Sequence, residues 1–330
     1  MHVSAKIFAG NPMSETVRVF FATDVHGSER VWSKWLRIPT LYKVHVLILA
    51  GDLTGKAIVP IVEHPNGSFT CRAFGHKFEA SSRTDAEKIV EKILFSGYYP
   101  LFATAEQVDE LKKDQKRLDQ LFEKTMSDNI ARWMKLVEEK IPDETKVIVM
   151  PGNDDSFAID EAIKASERVI YPIDKVVPLC FENQMMSMDW TNPTPWQTPR
   201  ECSEEQLMKK LEEQAARVGE DWSKIICNFH CPPYGTKLDL APELDKNLKV
   251  KADASGPRFK HVGSESILKF IKEHQPFIGL HGHIHESAGF ENIGNTLCFN
   301  PGSEYGEGIL KGAIFEFDSK GLANWWPVSG

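Results

Sequence analysis

Residues 276–285, PFIGLHGHIH, join a short apolar run to three histidines within five positions. The run has the length of a buried β-strand, and the histidines come where that strand would end. Residues two apart in an extended chain point to the same side, so we expect His283 and His285 to face one site and His281 to point away. Histidine is the commonest metal ligand among side chains. The stretch alone leaves open a polar loop with solvated histidines.

Five more polar residues each follow a predicted buried strand. The strands and their polar residues are 17–23 with Asp24 and His26, 44–50 with Asp52, 146–150 with Asn153, and 223–229 with His230. A helix over residues 31–36 joins the first two strands into a βαβ unit with Asp24 and Asp52 at its carboxyl edge, where sites in open α/β sheets lie. Asp24 could instead be the N-cap of that helix.

The composition is that of an ordinary globular protein. The 330 residues are 42% hydrophobic and 26% charged, with a net charge of −8. We expect no membrane span, because no apolar run is long enough, and no signal peptide within residues 1–16. Six cysteines without CxxC or framework spacing predict reduced thiols and a cytoplasmic protein. An acidic balance without a basic tail argues against a general nucleic-acid binder.

Residues 56–145 separate two of these strands by far more than a crossover needs, which predicts an insertion within a single domain spanning residues 1–330. Its Pro65-Asn66-Gly67 turn predicts a hairpin, and residues 85–95 predict a helix. Apolar residues spaced by three and four over residues 104–141 predict one long amphipathic helix, or two broken near Ser127-Asp128. We expect this stripe to pack on the main domain, with a partner or homo-oligomer surface as the alternative. We also expect the insertion to roof one side of the site.

The polar residues at the strand ends form a set with the composition of a metal centre. The set is Asp24, His26, Asp52, Asn153, His230, His283 and His285. Carboxylate, amide and imidazole donors without a thiolate suit Mn, Fe, Zn or Ni, with Mn as our first choice. Cys227 and Cys231 flank His230, but Cys227 lies in an apolar strand and is expected to pack there. Seven donors are too many for one ion with open positions and suit two ions that share a carboxylate.

The ordered motifs resemble those of the calcineurin-like metallophosphoesterase superfamily. They are DVH at 24–26, GD at 51–52, GND at 152–154, a histidine at 230 and GHIH at 282–285, against D-x-H, G-D, G-N-H-[DE], H and G-H-x-H. The likeness covers roughly residues 17–55 and 146–318 and leaves out the insertion. The turn at 300–303 resembles that of the smaller prokaryotic phosphodiesterase branch.

The resemblance implies a fold, a reaction and a role for each ligand. The fold is α/β, a four-layer αββα sandwich of two mixed sheets. The reaction is phosphoester hydrolysis by in-line attack of a hydroxide held between two divalent ions. By that resemblance, Asp24, His26 and His285 hold one ion, Asn153, His230 and His283 hold the other, and Asp52 bridges them. The residues assigned to catalysis are Asp154, Asn153 and His230.

One position departs from the family pattern. The family usually has a histidine directly after the asparagine ligand, which helps bind the phosphate or protonate the leaving group, and this chain has Asp154. A free aspartate has a pKa near 3.9, and adjacent cations lower it, so Asp154 should not donate a proton. This predicts a preference for diesters and for acidic leaving groups. Alternatively, Asp154 or Asp155 caps the helix that begins near Phe157.

Three functions stay open. The chain is a phosphodiesterase or phosphatase, a non-catalytic scaffold on the same fold like the retromer subunit that resembles this family, or a nuclease. The presence of all seven donors favours the enzyme. A nuclease would need a basic track or an aromatic platform beside the site, which the sequence does not show. A phosphoester substrate is therefore the expected partner, without membrane or nucleic acid.

Overall fold

The computed structural model describes residues 16–330, and the expectation about a signal peptide falls almost wholly on residues outside that range. Strands make up most of the core. They are β1 Val17–Ala22, β2 Val46–Ala50, β3 Ile58–Glu63, β4 Phe69–Ala73, β5 His76–Ala80, β6 Tyr99–Thr104, β7 Lys146–Met150, β8 Val169–Ile170, β9 Val176–Cys180, β10 Asn183–Met188, β11 Ile225–Phe229, β12 Leu240–Pro242, β13 Ala252–Asp253, β14 Gly256–Pro257, β15 Phe259–His261, β16 Ile278–Leu280, β17 Gly289–Ile293, β18 Thr296–Asn300, β19 Lys311–Asp318 and β20 Gly321–Ser329.

The helices are mostly short, apart from one of 26 residues in the insertion. They are α1 Glu29–Trp35, α2 Ile38–Tyr42, α3 Arg83–Phe95, α4 Ala105–Lys113, α5 Gln115–Lys140, α6 Asp160–Lys164, α7 Glu204–Ala215 and α8 Glu265–His274. Within residues 16–330, no helix is both long and apolar enough to cross a bilayer. All six cysteines lie in this range, and each is buried and free.

Two mixed sheets of six strands each organise the fold. The first has the order β20-β19-β1-β2-β7-β8, and the second has the order β17-β18-β16-β11-β10-β9. Strands β1, β2, β7 and β8 run parallel in the first sheet, and β18, β16, β11 and β10 run parallel in the second. Parallel strands send their carboxyl ends to one edge, so each sheet collects the loops after these strands in one place.

Three apolar layers show that the sheets are stacked between helices. Alternate residues of β1 face opposite ways, so Val19 and Phe21 join the core shared with the second sheet, whereas Phe20 and Ala22 pack with α1 and α5. The outer face of the second sheet packs on α7 and α8, where Leu211 and Phe270 are fully buried. The architecture is therefore an α/β four-layer αββα sandwich, as predicted.

The insertion is richer in strands than a single hairpin. The hairpin predicted at the Pro65-Asn66-Gly67 turn is present as β3 and β4, but β5 and β6 extend it to a four-stranded sheet of order β5-β4-β3-β6. Strand β6 pairs parallel with β3 from about forty residues away, a pairing that local pattern does not reveal. Pro100 within it also argues locally against a strand.

Residues 104–141 form two helices and not one, but the predicted break near Ser127-Asp128 is wrong. The break falls at Asp114, whose side chain accepts a hydrogen bond from the Arg117 amide and caps α5. Asp128 instead lies within α5 and forms an exposed ion pair with Lys124, one turn earlier. A polar pair on the outer face of a helix therefore does not end it.

Helix α5 packs against the main core. Trp133 stacks on Trp32 of α1 with ring centroids 4.3 Å apart and an interplanar angle of 3°. Ile130 and Val137, on the same face of α5, are completely buried in that cluster. The apolar stripe thus packs on the main domain. The division into a single domain with an insertion at residues 56–145 stays a prediction.

Strands β10 and β20 lack a clear apolar pattern in the sequence and were not predicted. Strand β10 lies between β9 and β11, and its Met185 and Met186 face the two cores of the second sheet. The chain turns back after β19 into β20, which pairs antiparallel with β19 at the sheet edge. Methionine is not a strong strand former, and edge strands are polar and irregular.

Candidate metal centre

The seven candidate ligands lie on loops that leave parallel strands of both sheets. Asp24 and His26 follow β1, Asp52 follows β2, Asn153 follows β7, His230 follows β11, and His283 and His285 follow β16. Six of them form two groups, each with one ligand atom per residue within 4.8 Å of the others: a first group of Asp24, His26 and His285, and a second group of Asp52, His230 and His283.

Asp52 lies between the two groups. Its Oδ2 is 3.6 Å from His26 Nε2, and its Oδ1 is 3.4 Å from His230 Nε2. One carboxylate oxygen therefore faces each group. Burial opposes ionisation of Asp52, but the neighbouring charges of His230 and His26 hold its pKa well below the usual range. Asp52 is thus an anion placed to serve both groups at once.

The first group is tightly convergent. His26 Nε2 and His285 Nε2 are 3.0 Å apart, and His285 Nε2 is 3.4 Å from Asp24 Oδ1. Burial alone would raise the pKa of Asp24, yet the hydrogen bond and charge of His285 and the charge of His230 lower it to about 2. Two ring nitrogens and a carboxylate oxygen point at one volume, which is the arrangement of ligands around a small cation.

The second group contains buried atoms that need a partner. His230 is buried, and its Nδ1 finds no hydrogen-bond partner among residues 16–330, whereas its Nε2 makes no hydrogen bond but lies 3.4 Å from Asp52 Oδ1. Asn153 Oδ1 is also buried without one. Asn153 directly precedes Asp154, whose amide donates to Asp52 Oδ1 at 3.0 Å, so the loop that carries Asn153 lies against this group. Buried polar atoms are rarely left unpaired, and a divalent cation would satisfy these atoms.

The backbone of the ligand loops is unusual. Four of the seven candidates have positive φ, namely Asp24 at 54°, His26 at 41°, Asp52 at 49° and His283 at 68°. Residues other than glycine seldom adopt this conformation, and they are held in it when the surrounding structure requires it, often at functional sites. The positive φ angles therefore orient these side chains, although the backbone of a non-glycine residue disfavours such angles.

Gly51 and Gly152 allow the loops to approach each other. A Cβ on Gly51 would overlap the ring of His230, and a Cβ on Gly152 would overlap the Asp52 side chain. The glycines of the GD and GND motifs therefore make room for ligands from other loops.

Asp154 lies at the site, paired with a residue that the sequence did not single out. Lys56 Nζ is 2.5 Å from Asp154 Oδ2, and Asp154 also offers an oxygen within 4.8 Å of His26 and Asp52 ligand atoms. Burial and the charge of Asp52 raise the pKa of Asp154, whereas Lys56 lowers it. The protein's own groups therefore raise the pKa of Asp154, and the lowering expected from adjacent cations stays a prediction.

Tyr305 is a second site residue that the sequence did not reveal. Its ring lies 4.6 Å from the ring of His26 and 5.8 Å from that of His285, measured between centroids. It follows the turn at 300–303 by two residues, and that turn is the available sequence signal. Lys56 follows Asp52 by four residues in a glycine-containing turn, which is a weak signal.

Neither Asp154 nor Asp155 caps a helix. The Oγ of Ser156 accepts from the Ala158 amide and caps the 3₁₀ turn that begins at Phe157. Asp155 instead accepts five hydrogen bonds from four donor groups: the backbone amides of Leu53, Thr54 and Gly152 and the Thr54 hydroxyl. It thereby ties the loop that carries Asp52 to the loop that carries Asn153.

His281 is not in either group, as alternation predicted. It is buried, and its Nδ1 lies 3.0 Å from the carbonyl oxygens of both Phe229 and Cys231. These carbonyls flank His230, so His281 holds the strand end that carries this ligand. Burial lowers the pKa of His281 to about 4, so the ring is neutral. Cys227 is buried in the core as expected, and neither cysteine beside His230 is in a potential metal-binding group of the described residues.

The fold and the two paired ligand groups agree with what the resemblance of the motifs to the calcineurin-like metallophosphoesterase superfamily implies. The sequence of this chain is 32% identical over 177 residues to the uncharacterized protein MJ1162 of Methanocaldococcus jannaschii, covering 52% of this chain and 72% of that protein. No family model matches the chain.

Solved structures share the fold at low sequence identity. TT1561 of Thermus thermophilus aligns with a TM-score of 0.52 and 13% identity, covering 96% of this chain and 98% of that one. A further crystal structure aligns with a TM-score of 0.54 and 15% identity, covering 95% of this chain and 98% of that one. These similarities concern the fold alone.

Proposed function

We propose that the protein is a dinuclear metal-dependent phosphoester hydrolase. The observation that carries the proposal is the position of Asp52, whose two oxygens face His26 of the first group and His230 of the second. A carboxylate shared by two groups of imidazole and carboxylate donors suits a pair of Mn, Fe, Zn or Ni ions. We take Mn as the first to assay.

The chain's own residues supply the ligands and the positioning. Asp24, His26 and His285 would hold one cation, and Asn153, His230 and His283 the other, with Asp52 between them. When bound, such a pair of cations acidifies water and offsets the charge that develops on a phosphoryl group. Asp155 and His281 keep the Asp52, Asn153 and His230 loops in register through their hydrogen bonds.

Lys56 is the residue we assign to the substrate phosphate. Its ammonium lies beside the candidate metal ligands. Burial alone would lower its pKa, but the charges of Asp52 and Asp154 outweigh burial and raise the pKa above its usual value. It is therefore a permanent cation that can pair with a phosphoryl oxygen but is a poor proton donor. Because Lys56 also pairs with Asp154, the repulsion expected between Asp154 and a monoester dianion is weakened.

The substrate preference that we propose follows from the missing proton donor. Neither Lys56 nor Asp154 matches the near-neutral histidine found after the asparagine in the family pattern. Poor leaving groups depend most on protonation, so substrates with acidic leaving groups, such as aryl esters, should be hydrolysed best. A preference for diesters over monoesters is part of the proposal. The ion pair between Lys56 and Asp154 makes this preference smaller than the leaving-group preference.

The test combines metal analysis with a substrate screen. Purified protein should bind two divalent cations per chain and hydrolyse an aryl phosphodiester such as bis(p-nitrophenyl) phosphate, and chelation should abolish the activity. Readdition of Mn²⁺ should restore it. Tight binding of two cations without hydrolysis of any mono- or diester would instead favour a scaffold, and absence of cation binding would refute the proposal altogether.

A further inference from the structure

Asn153 has one side-chain atom that is paired and one that is not. Its Nδ2 donates to Thr198 Oγ1 at 2.7 Å, whereas Oδ1 is buried and finds no partner in the described part of the chain. The residue is 3% exposed, so solvent does not supply the missing partner. The orientation of this amide decides whether an oxygen or an NH₂ group faces the second group.

The hydrogen-bond chain behind Thr198 fixes that orientation. The Thr198 hydroxyl donates to Glu201 Oε1 at 2.5 Å, and an ionised carboxylate can only accept. A hydroxyl has one proton, so with that proton donated to Glu201, Thr198 Oγ1 can only accept from Asn153. Only the NH₂ side of the amide can donate, so Oδ1 must point the other way.

The loop that carries Thr198 is itself firmly held. Glu201 also accepts from the amides of Thr194 and Thr198 and from the Thr194 hydroxyl. The Arg200 amide donates to the backbone oxygen of Asn153 at 3.1 Å. The loop therefore holds both the backbone and the side chain of Asn153.

Arg200 anchors the loop in the protein interior. Its guanidinium is 1% exposed and pairs with Asp189 at 2.7 Å and with Asp160 at 2.6 Å. It also donates to the backbone oxygen of Asp155. Thr198 is thus presented to Asn153 by a rigid support and does not depend on a mobile surface turn.

We propose that Thr198, oriented by Glu201, is a positioning residue that keeps Asn153 Oδ1 directed at the second cation. This inference rests on the proposed function, because it needs Asn153 to be a ligand. Thr198 does not touch the reacting atoms in this scheme. It acts by excluding the flipped amide, which would present hydrogens to the cation.

The test is the substitution Thr198→Val, with Thr194→Val as a matched control. Each threonine gives one hydrogen bond to Glu201 and accepts one N–H, but only Thr198 accepts from Asn153. The affinity of the two sites for Mn²⁺ should be measured by calorimetric titration, alongside the melting temperature of metal-free protein. Loss of such a supporting hydrogen bond commonly weakens metal affinity about 10- to 100-fold.

We expect Thr198→Val to weaken one of the two sites by that factor. Thr194→Val and the conservative Thr198→Ser should stay close to wild type in Mn²⁺ affinity. The two valine variants should have similar melting temperatures in chelator. Equal weakening by Thr194→Val would show that the loop matters only for stability, and an unchanged affinity in Thr198→Val would overturn the positioning role.

A double variant separates the positioning role from other effects of Thr198→Val, and Thr198→Ser keeps the inference testable if the valine variant folds poorly, because the folded serine variant should still bind Mn²⁺ as the wild type does. In an Asn153→Asp background, both side-chain oxygens are equivalent and no orientation is needed. Adding Thr198→Val to this variant should therefore not weaken the second site, and a full loss of about 10- to 100-fold there would contradict the inference. If wild-type protein binds no pair of cations, the proposed function fails first. If it binds them and Thr198 has no effect, only this inference fails.

Discussion

Replacing Asp52 by asparagine should remove one cation selectively. The Asp154 amide donates to Asp52 Oδ1, so an asparagine at this position keeps its oxygen there and places its NH₂ group at the Oδ2 position. That position is 3.6 Å from His26 Nε2. The first group would then lose an anionic ligand and face two hydrogens, whereas the second group keeps an oxygen from residue 52.

The size of the effect follows from the charge removed. Asp52 is a buried anion, and its substitution removes the carboxylate oxygen that lies 3.6 Å from His26 Nε2 of the first group. Loss of one preorganised electrostatic contact typically costs about 10²- to 10³-fold in turnover, and Asp52→Asn should lose at least this much. The affinity of the first group should fall by more than the roughly 10- to 100-fold seen when only a supporting residue is removed. The fold should persist, because the shape is conserved and Asp155 still ties the loops together.

Equilibrium dialysis followed by elemental analysis measures the expected change. Asp52→Asn should retain about one Mn²⁺ per chain where the wild type retains two, and its kcat on an aryl diester should fall as stated. Circular dichroism and the melting temperature in chelator serve as controls for folding. Two retained cations with near wild-type turnover would refute the bridging role, and loss of both cations would refute the asymmetry derived from the Asp154 hydrogen bond.

Three other substitutions test separate parts of the structure. Lys56→Gln should lower kcat/KM for an aryl diester by about 10- to 100-fold, mostly through KM, because a charge-assisted hydrogen bond to phosphate is lost; an unchanged KM would remove Lys56 from the substrate site. Arg200→Met should destabilise the protein by about 3–5 kcal/mol in urea unfolding, because buried Asp189 is left without its cation; a loss below about 1 kcal/mol would contradict this. The pKa of His281, lowered to about 4 by burial, lies below that of an unfolded histidine. Its contribution to stability is therefore complete above about pH 6.5 and is lost as the pH falls toward 4, so His281→Asn should show a decline between pH 7 and pH 5 that is roughly 2 kcal/mol smaller than in wild type. An equal decline in urea unfolding would show that other groups dominate.

Deleting residues 57–143 would damage the main core of the protein. The sequence predicted that the insertion roofs one side of the site. The structure places Trp133 and Ile130 of α5 in the main core, so that deletion would expose it. A segment whose side chains complete a core is not a removable roof.

The predictable part of the site was the part encoded locally. Asp24, His26, His283 and His285 each follow an apolar run by a few residues, so strand ends and motif order located them before any contact was known. Lys56 and Asp154 are 98 residues apart, and nothing at either position indicates the other. The pattern of a single sequence predicts local structure. The residues that a loop side chain contacts depend instead on which sheet edges come together.

The fold class was predictable because its strands are also encoded locally. The errors lie in strands that pair with segments far away in the sequence. The buried strands of both sheets are short apolar runs with clear ends. Strand β6 of the insertion and the edge strand β20 carry proline and polar residues, and they become strands because a neighbour offers hydrogen bonds. The capping role expected for Asp155 failed likewise, since the groups that it binds at Leu53 and Thr54 lie about a hundred residues earlier.

The left-handed backbone of four candidate ligands has a consequence for engineering this protein. Each such residue costs on the order of 1 kcal/mol or more relative to a relaxed backbone, and glycine would remove much of that cost. At Asp24 and Asp52 that gain is offset, because each carboxylate accepts a backbone N–H that glycine would leave without a partner. At His26 and His283, relief of the backbone and loss of a candidate cation ligand come from the same change to glycine. A library selected for thermostability should therefore be screened for Mn²⁺ retention in the same round.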